Sequence, residues 1–392
     1  MRLALTLSGV IALRMLGLFM ILPVFMILAK DLPGFTPLTG GLAIGIYGLT
    51  QAALQQPFGW LSDRWGRRPV LLMGLFLFAA GGVLAALAES MPWLIAGRAV
   101  QGCGAIAGVA MAFAADFTRP HRRSISMAII GIGIGGAFLL SMMLSVPLAM
   151  VLGLEGLFWL TVIFALVGVL LVFTLPRNLR AVSEPGSEVK IDMKPVWLLA
   201  LSVFLLHAAM TLLFVVLPPL LVGTYELALA EHWKIYVPTM LVSVLIIFPL
   251  LRKVGKNLTE HRLMPWAFFA LAASMAAMGL LDTDFGLLGL AVLMAVYFLG
   301  FNLLEASMPA LLARVSGSRG RGRRMGVYST FQFLGAFAGG LSGGWLLGVF
   351  GSGIALLVAA GTCVVWGVLL KVALSRRILH PSPQVLNKAT DV

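Results

Sequence analysis

The amino-acid sequence predicts an all-α, polytopic membrane protein with twelve transmembrane helices arranged as two six-helix halves. Three observations lead to this fold class. The chain is 60% hydrophobic and only 11% charged, whereas a soluble domain carries about 25% charged residues. Its apolar windows are long and lack the alternation of β-strands, and a transmembrane helix needs about 20 such residues. Its lysines and arginines fall almost entirely on one side of the predicted helices.

Each predicted span is a long apolar segment separated from the next by polar residues. Prolines and glycines within the spans are compatible with membrane helices, because neighbouring helices satisfy the freed backbone groups. The first span resembles a signal peptide in length, but Arg14 interrupts it and no small-residue cleavage site follows, so we expect it to be retained. The predicted spans are 4–29, 38–60, 70–88, 92–115, 125–150, 156–176, 195–222, 235–251, 264–281, 286–312, 325–348 and 354–374.

The distribution of basic residues predicts the topology. If the segment before the first span is cytoplasmic, 24 of the 28 lysines and arginines lie in cytoplasmic segments, and Lys30 and Lys234 lie on the opposite side. The positive-inside rule then places both termini on the cytoplasmic side of the membrane, which we expect to be a bacterial-type inner membrane. One missed helix would scramble this alternation, so the asymmetry also supports an even number of spans. Because the basic residues are scattered over many short loops, the formal net charge of +13 does not indicate nucleic-acid binding.

A polar linker divides the chain into its halves. The segment 177–194 separates the half 1–176 from the half 195–374, and residues 375–392 form a cytoplasmic tail. Two similar stretches support a duplication: RRSISMAIIGIGIGGAF opens the fifth span and RRMGVYSTFQFLGAFAGG opens the eleventh. Duplicated halves with a binding site between them at the midplane are a recurring architecture of membrane transporters.

The segment GWLSDRWGRRP, after the second span, concentrates charge in an otherwise apolar chain. Asp63 and Arg67 lie four residues apart, so on a helical turn they would share a face. Gly59 would allow close helix approach, and Gly66 with Pro69 would form a tight turn into the third span. A topology-setting basic loop would explain the arginines, but it leaves the acid and the glycine spacing unexplained.

This segment resembles the signature loop between helices 2 and 3 of the major facilitator superfamily, and the resemblance extends over essentially the whole chain. The stretches LRMLGLFMILP, GRAVQGCGAIAG, FNLLEASMPAL and GVYSTFQFLG are most similar to the YajR-type branch of that superfamily. The resemblance implies a single-chain secondary transporter that works by alternating access. The matching loop residues are Gly59, Asp63, Arg64, Gly66, Arg67 and Arg68.

The resemblance also implies a latch that closes the cytoplasmic face when the opposite face is open. In that family the acid of the loop engages the start of helix 11, here Gly326–Tyr328. The basic end of the loop, here Arg67, engages the acid that ends helix 4, here Asp116. A carboxylate beside a helix N-terminus is stabilised by about 0.3–1 kcal/mol, and an Asp–Arg–Asp cluster adds charge-assisted hydrogen bonds. On this interpretation Asp63 is the latch residue and the arginines orient the loop.

Ionisable residues within the spans are candidates for proton coupling, because charged groups in a bilayer usually face a bundle interior or a wet cavity. Arg98 lies in GRAVQGCG, which resembles the helix 4 arginine motif that the superfamily links to proton coupling, and Gly97 and Gly104 would allow a close helix contact there. Glu305 is the one acid deep in a predicted span, and His207 is the one histidine. A purely structural role stays open for each.

The remaining polar candidates would line a cavity or contact a substrate. Gln51 and Gln55 share one helix face, whereas Gln56 points about 100° away from Gln55. Asn302 precedes Glu305 by three residues and would share its face. The cavity and substrate candidates are Arg14, Gln51, Gln55, Gln101 and Asn302.

The transport mode stays open at this stage. Proton-coupled export of small, amphipathic compounds fits the overall resemblance. However, Val146 precedes the proline of the fifth span, where proton antiporters of the superfamily tend to have glycine, and this favours a proton symporter or a uniporter for a metabolite. A polytopic membrane enzyme would need a reactive cluster that is not apparent, and a non-transporting receptor would have no use for a latch.

The sequence carries no nucleotide-binding loop and no HExxH or paired-cysteine metal site. Cys103 and Cys363 lie in apolar runs, so a disulfide framework is not expected. We therefore expect no cofactor. The expected partners are a small-molecule substrate, protons and the lipid bilayer, and the expected state is a monomer.

Overall fold

The structure, a computed structural model, describes residues 2–117, 123–175, 193–256, 260–280, 286–315 and 321–375. Within these ranges every regular element is a helix, as the fold class predicted. A short 3-10 turn, Leu229–Glu231, precedes α9. The helices are α1 (Arg2–Ile21), α2 (Phe25–Leu28), α3 (Pro37–Trp65), α4 (Arg67–Ala86), α5 (Met91–Cys103), α6 (Ala107–Asp116), α7 (Arg123–Phe173), α8 (Lys194–Gly223), α9 (Trp233–Lys256), α10 (Glu260–Leu280), α11 (Gly286–Val315) and α12 (Arg321–Ser375).

Two of these helices are too long for a single crossing of a bilayer. α7 has 51 residues and α12 has 55, whereas one crossing takes about 20. α7 bends at Gly153 (φ 64°) and α12 bends at Gly351 (φ 81°), in the left-handed region that glycine enters without steric cost. These bends coincide with the boundaries between predicted spans 5 and 6 and between spans 11 and 12.

Contacts with α1 show that α7 reverses direction at its bend. The Ser8 hydroxyl donates to the Ile129 carbonyl at 2.9 Å, and the Ser145 hydroxyl donates to the Met20 carbonyl at 2.6 Å. The first part of α7 therefore runs parallel to α1. After the bend the order is inverted, because Gly17 packs against Thr161 and Gly9 packs against Leu171.

The helix count is consistent with the twelve predicted spans. Nine helices in the described ranges are long and apolar enough to cross a membrane, and the doubled α7 and α12 are two of them. α3, with 29 residues, supplies a further, less apolar crossing. Spans 1 and 4 were each predicted as one continuous helix, but span 1 consists of α1 and α2, and span 4 consists of α5 and α6. Pro23 lies in the break between α1 and α2, where a missing N–H cannot continue the hydrogen-bond ladder, and Gly104 leaves the helical conformation between α5 and α6.

The charged segment after the second span is not a loop. α3 continues to Trp65 and α4 begins at Arg67, so Gly66 alone separates them. Gly66 has a φ of 92°, which confirms the predicted tight turn. Asp63 therefore projects from the last turn of one helix, and Arg67 projects from the first turn of the next.

The helix ends define two faces of the bundle. The termini face carries the start of α1, the end of α3, the end of α6 and the end of α12; the far face carries α2 and the start of α3. Two apolar cores fill the bundle. One core runs through the second half and continues into the far-face end of the first half, through residues such as Phe25, Met91 and Leu157. The other lies in the first half, from its middle to the termini face, around Leu7, Phe58 and Phe113, and Phe333 of α12 packs against it. The halves thus share one continuous core at the far face.

Backbones of the two halves touch directly where α3 crosses α12. A Cβ on Gly41 would collide with the Gly340 carbonyl oxygen and would lie 2.8 Å from the Gly344 Cα. A Cβ on Gly45 would lie 2.8 Å from the Phe337 carbonyl oxygen. Glycine at these positions is therefore what allows the helices to approach so closely.

Candidate functional site

An ion-pair cluster occupies the termini face. Nη1 of Arg67 lies 2.6 Å from Oδ1 of Asp63, and Nη2 lies 2.8 Å from Oδ2 of Asp116. The same guanidinium donates to the Ser62 hydroxyl, and its side chain is only 17% exposed. Arg67 thus ties together the ends of α3 and α6 and the start of α4. The pairing of Arg67 with Asp116, which the resemblance implied, is present.

The expected contact between Asp63 and the start of α12 is not made in the described part of this structure. The Asp63 side chain is 62% exposed and pairs with Arg67. Gly326 instead lies against the Gln56 side chain, since a Cβ on Gly326 would be 2.9 Å from Nε2 of Gln56. Tyr328 is buried at 3% exposure.

The other residues of the charged segment have local contacts. Arg64 stacks over the Trp60 ring with its guanidinium carbon 4.1 Å from the centroid. Arg68 donates to the Phe173 carbonyl at 3.1 Å. No close helix approach is made at Gly59 in this structure, since a Cβ there would meet nothing within 4 Å.

In the first half, Arg14 of α1 lies in a polar cluster with side chains of α3. Its Nη2 donates to the Tyr47 hydroxyl and to Oε1 of Gln51. Nε2 of Gln51 lies 3.5 Å from Oε1 of Gln55. The Arg14 guanidinium carbon also lies 5.5 Å from the ring centroid of Phe78. Nε and Nη1 of Arg14 and Nε2 of Gln55 have no hydrogen-bond partner among the described residues.

Arg98 of α5 adjoins the same tyrosine. Its guanidinium carbon lies 4.9 Å from the ring centroid of Tyr47. Its Nη1 donates to Oε1 of Gln101 at 2.6 Å, and its Nε donates to the Ala43 carbonyl at 3.3 Å. Nε2 of Gln101 in turn donates to the Thr161 hydroxyl at 2.9 Å. A backbone carbonyl and a side-chain amide therefore hold Arg98 in this structure.

The glycines that flank Arg98 do make the close helix contact that was predicted. A Cβ on Gly97 would lie 2.6 Å from the Ala85 backbone nitrogen, and a Cβ on Gly104 would collide with the Gly74 carbonyl oxygen. α5 thereby packs directly on the backbone of α4.

The glutamines predicted to line a cavity are instead closed off in this structure. All three are at most 4% exposed: Gln51, Gln55 and Gln101. Their side-chain amides are buried in the polar cluster around Arg14 and Arg98, where Gln51 accepts from Arg14 and Gln101 accepts from Arg98. Buried guanidinium groups attract the nearest acceptors in low dielectric, and these amides are the acceptors that α3 and α5 supply.

In the second half, His207, Glu305 and Gln332 meet, one each from α8, α11 and α12. Nε2 of Gln332 lies 2.8 Å from Nε2 of His207 and 3.3 Å from Oε1 of Glu305. Nε2 of His207 lies 3.8 Å from Oε2 of Glu305. Nδ1 of His207 lies 3.1 Å from the Val203 carbonyl oxygen. Since a carbonyl only accepts, Nδ1 carries a hydrogen, and in the neutral ring Nε2 accepts from Gln332.

A row of aromatic rings connects this cluster to the first half. The ring centroid of Phe301 lies 6.0 Å from that of His207 and 6.0 Å from that of Phe138 on α7. Phe138 packs edge-on against Phe19 of α1, with centroids 4.9 Å apart. The row passes from α8 through α11 into α7 and α1, so it spans the boundary between the halves.

Asn302 does not share the surroundings of Glu305. Its Nδ2 donates to the Ser243 hydroxyl of α9 at 2.9 Å, whereas Glu305 faces α8 and α12. Residues three apart on a helix differ by about 60° in direction, which is enough here to reach different neighbours. Asn302 is thus a tie between α9 and α11 in this structure.

Comparison with known proteins decides the family. The family model described as the Major Facilitator Superfamily matches residues 7–318 of the chain. The chain belongs to the Major Facilitator Superfamily.

Two relatives and one solved structure place this member of the superfamily more closely. The chain is 39% identical to the inner membrane transport protein YajR of Escherichia coli (strain K12) over 368 residues. The matched region covers 92% of this chain and 80% of that protein. It is 29% identical over 348 residues to the multidrug resistance protein MdtH of Aeromonas salmonicida (strain A449), and the match covers 84% of this chain and 82% of that protein. Its fold matches the crystal structure of a bacterial homolog of the human lysosomal transporter Spinster, in an inward-facing and occupied conformation, with a TM-score of 0.78 at 15% identity over 97% and 98% of the two chains.

Membership of the Major Facilitator Superfamily makes this chain a multi-pass membrane transporter and excludes the polytopic enzyme that the sequence had left open. Three residues of the two polar clusters were missed as candidates: Tyr47, Thr161 and Gln332. Each is a polar residue inside an apolar span, and Tyr47 precedes Gln51 by four residues on the same helix face. Gln332 lies in the stretch GVYSTFQFLG, where it is the one amide.

Proposed function

We propose that this transporter exports small, amphipathic compounds in exchange for protons across a bacterial inner membrane, with both termini in the cytoplasm. The names of its relatives support export, since one is an inner membrane transport protein and another is a multidrug resistance protein. The skew of basic residues toward the termini face supports the orientation. The observation that carries proton coupling is the cluster of His207, Gln332 and Glu305.

The cluster is built to respond to a proton. Imidazole is the side chain that gains or loses a proton near neutral pH. In the neutral state both hydrogens of the Gln332 amide nitrogen are used, one toward His207 and one toward Glu305. Protonation of the imidazole puts a second N–H at Nε2, where it faces the Gln332 N–H group. Two donors cannot share one hydrogen bond, so the arrangement has to change.

The relief of that conflict moves groups on three helices. His207 can turn its new N–H toward the free Oε2 of Glu305, which lies 3.8 Å away and has no hydrogen-bond partner among the described residues. Gln332 then has to rotate its amide. Because these side chains come from α8, α11 and α12, one proton changes the contacts among all three helices.

The aromatic row gives this change a route to the other half. Phe301 touches both His207 and Phe138, so a shift of α8 or α11 alters the packing at the boundary of the halves. A proton that binds one arrangement better than the other shifts the balance between inward-facing and outward-facing states. This is the requirement for coupling proton movement to substrate movement.

We propose that the termini-face ion pairs act as the latch of the opposite state. In this structure the halves share a continuous core at the far face, and Asp63 is largely exposed. Opening the far face tilts the halves so that the end of α3 moves toward the start of α12. Asp63 then reaches the first turn of α12, which begins at Arg321, where the helix dipole favours a carboxylate.

Proton symport, or uniport, of a metabolite is the second candidate. Val146 before Pro147 is the observation that favours it, because proton antiporters of the superfamily tend to have glycine at that place. The two modes differ in the direction of proton movement relative to substrate.

Proteoliposomes that contain the purified protein and a pH-sensitive dye test the proposal. A pH gradient is imposed, a panel of amphipathic compounds and metabolites is supplied, and both substrate uptake and proton flux are recorded. Export by exchange predicts that substrate and protons cross in opposite directions. Movement in the same direction, or substrate movement without proton flux, would overturn the antiport proposal in favour of the second candidate.

A further inference from the structure

The polar cluster of the first half buries two positive charges without a counter-charge. Arg14 and Arg98 are each 1% exposed, and among the described residues neither forms an ion pair with a carboxylate. A guanidinium in apolar surroundings is strongly unfavourable unless it is paired. The acids of the described first half all lie at helix ends, in connections between helices or beside the bend of α7. They are Asp31, Asp63, Glu89, Asp116 and Glu155.

Unused hydrogen-bond donors gather on the Arg14 side of this cluster. Nε and Nη1 of Arg14 and Nε2 of Gln55 are buried and have no partner among the described residues. Guanidinium and amide nitrogens only donate, so each missing partner has to be an acceptor. Arg98 differs, because Gln101 and the Ala43 carbonyl already accept from it.

A helix N-terminus adds to the same side. α6 begins inside the bundle, after the break that follows Gly104, and its N-cap residue Ile106 offers no side-chain acceptor. The first N–H groups of a helix point out of its end and carry about half a positive charge. Gly108, in this first turn, lies against the free amide of Gln55, since a Cβ there would be 2.8 Å from Nε2. Gln55 therefore links the start of α6 to Gln51 and Arg14.

We propose that the first half binds one monovalent anion, a halide or a carboxylate, between Arg14, Gln55 and the start of α6. The donors that have no partner are all of the type an anion needs, and the Arg14 guanidinium among them is positively charged. The rings of Tyr47 and Phe78 lie beside Arg14. These apolar surroundings suit a weakly hydrated anion better than a strongly hydrated divalent anion such as sulfate. A water molecule would satisfy the donors but would leave both charges unbalanced. The proposal is independent of proton coupling in the second half.

Thermal unfolding of the purified protein in detergent tests this site with bromide and formate as probes. The melting temperature is measured in sodium gluconate and again as bromide or formate replaces gluconate at constant ionic strength. We expect a saturable rise in melting temperature with bromide or with formate, because a ligand that binds only the folded state stabilises it. Sulfate should give no saturable rise. No response to either bromide or formate would overturn the proposal.

Two variants locate the response. Arg14→Gln should abolish the rise, whereas Arg64→Gln should keep it, because Arg64 stacks on Trp60 at the termini face. Should Arg14→Gln fail to fold, Gln51→Glu keeps the proposal testable. Oε1 of Gln51 already accepts from Arg14, so glutamate there supplies the missing negative charge. Gln51→Glu should melt at a higher temperature than the unchanged protein in gluconate and should no longer respond to bromide; retention of the full bromide response would contradict the site.

A displacement measurement distinguishes the two sources of such an anion, which are a transported carboxylate substrate and a resident inorganic ion. Bound radioactive bromide is measured while amphipathic carboxylates are added. Release of bromide together with transport of the carboxylate assigns the site to substrate. Retention of bromide assigns it to a resident inorganic anion. Both outcomes require that wild-type protein binds bromide and that Arg14→Gln does not.

Discussion

Nε2 of His207 lies 3.8 Å from Oε2 of Glu305, and the side-chain amide of Gln332 donates toward both residues. The three side chains come from three helices, and His207 also packs on Phe301 at the boundary of the halves. Two ionisable groups that share one amide cannot change protonation without changing that amide's hydrogen bonds. This arrangement is the basis of the proton coupling that we propose.

Removing the shared amide should uncouple the pair. Gln332→Leu keeps approximate volume but deletes both hydrogen bonds, so protonation of His207 no longer forces a rearrangement of α12. We expect uphill transport in proteoliposomes to lose most of its dependence on pH while downhill exchange continues. Asn302→Leu, which removes a tie to α9 instead, is the matched control and should keep the pH dependence. A normal pH profile for Gln332→Leu would remove Gln332 from the mechanism.

Neutralising the latch acid should impair transport but not folding. Asp63 is largely exposed and is expected to engage α12 in the other state only, so Asp63→Asn should insert and melt as the unchanged protein does. Transport should fall, and a cysteine placed between the two halves should be labelled faster from the termini face. Asp31→Asn, an exposed acid on the far face, is the control. Unchanged transport and labelling with Asp63→Asn would show that the acid takes no part in gating.

A side chain on Gly41 should force the far face open. The groups it would meet are backbone atoms of Gly340 and Gly344, which cannot turn aside as a flexible side chain can. Gly41→Leu should therefore separate α3 from α12 and weaken the joined core at the far face. Gly361→Leu is the control, because a Cβ at that position meets nothing within 4 Å.

The separation is measured by cysteine labelling. Ala29, at the far-face end of the first half, is fully buried, and Ala29→Cys in a background without Cys103 and Cys363 provides the probe. Labelling by a membrane-impermeant maleimide should become several-fold faster with Gly41→Leu. Equal labelling rates in the two glycine variants, at equal melting temperatures, would mean that the glycine contact does not hold the far face closed.

The orientation follows from the basic residues and can be measured directly. Reporter fusions after residue 185 and at the C-terminus should both report the cytoplasm, and a fusion near residue 228 should report the opposite side. These assignments come from 24 of 28 basic residues lying on one side. A C-terminus found outside would mean that one predicted span is wrong.

The fold could be predicted from the sequence because the bilayer imposes a simple constraint. Every spanning segment has to be long, apolar and internally hydrogen-bonded, so composition and length reveal it. The turn at Gly66 was predictable for a local reason, since a glycine followed three residues later by a proline in a charged segment marks a bend. The break after Gly104 was missed because a helix interrupted within the bundle keeps the same apolar composition on both sides.

The candidate sites were predicted less completely. His207, Glu305 and Arg98 stood out because ionisable groups are rare in spans, but their partners depend on how the helices pack. Gln332 became recognisable only once α12 lay beside α8 and α11. Asn302 shows the converse, because helical spacing placed it beside Glu305 and yet its neighbour is on α9.

The exchange of Glu305 for a permanently neutral residue tests proton coupling most directly. Glu305→Gln and a control variant, Glu231→Gln, are each reconstituted into proteoliposomes. Glu231 is an exposed carboxylate at the far face. Accumulation of the most actively transported compound is then measured with and without a pH gradient, together with downhill exchange. We predict that Glu305→Gln loses accumulation against the gradient, because the protonated imidazole of His207 then has no carboxylate to turn toward, while downhill exchange persists and the control behaves as the unchanged protein does. If Glu305→Gln still concentrates substrate with a normal pH dependence, Glu305 is structural and the proposed coupling through this cluster is contradicted.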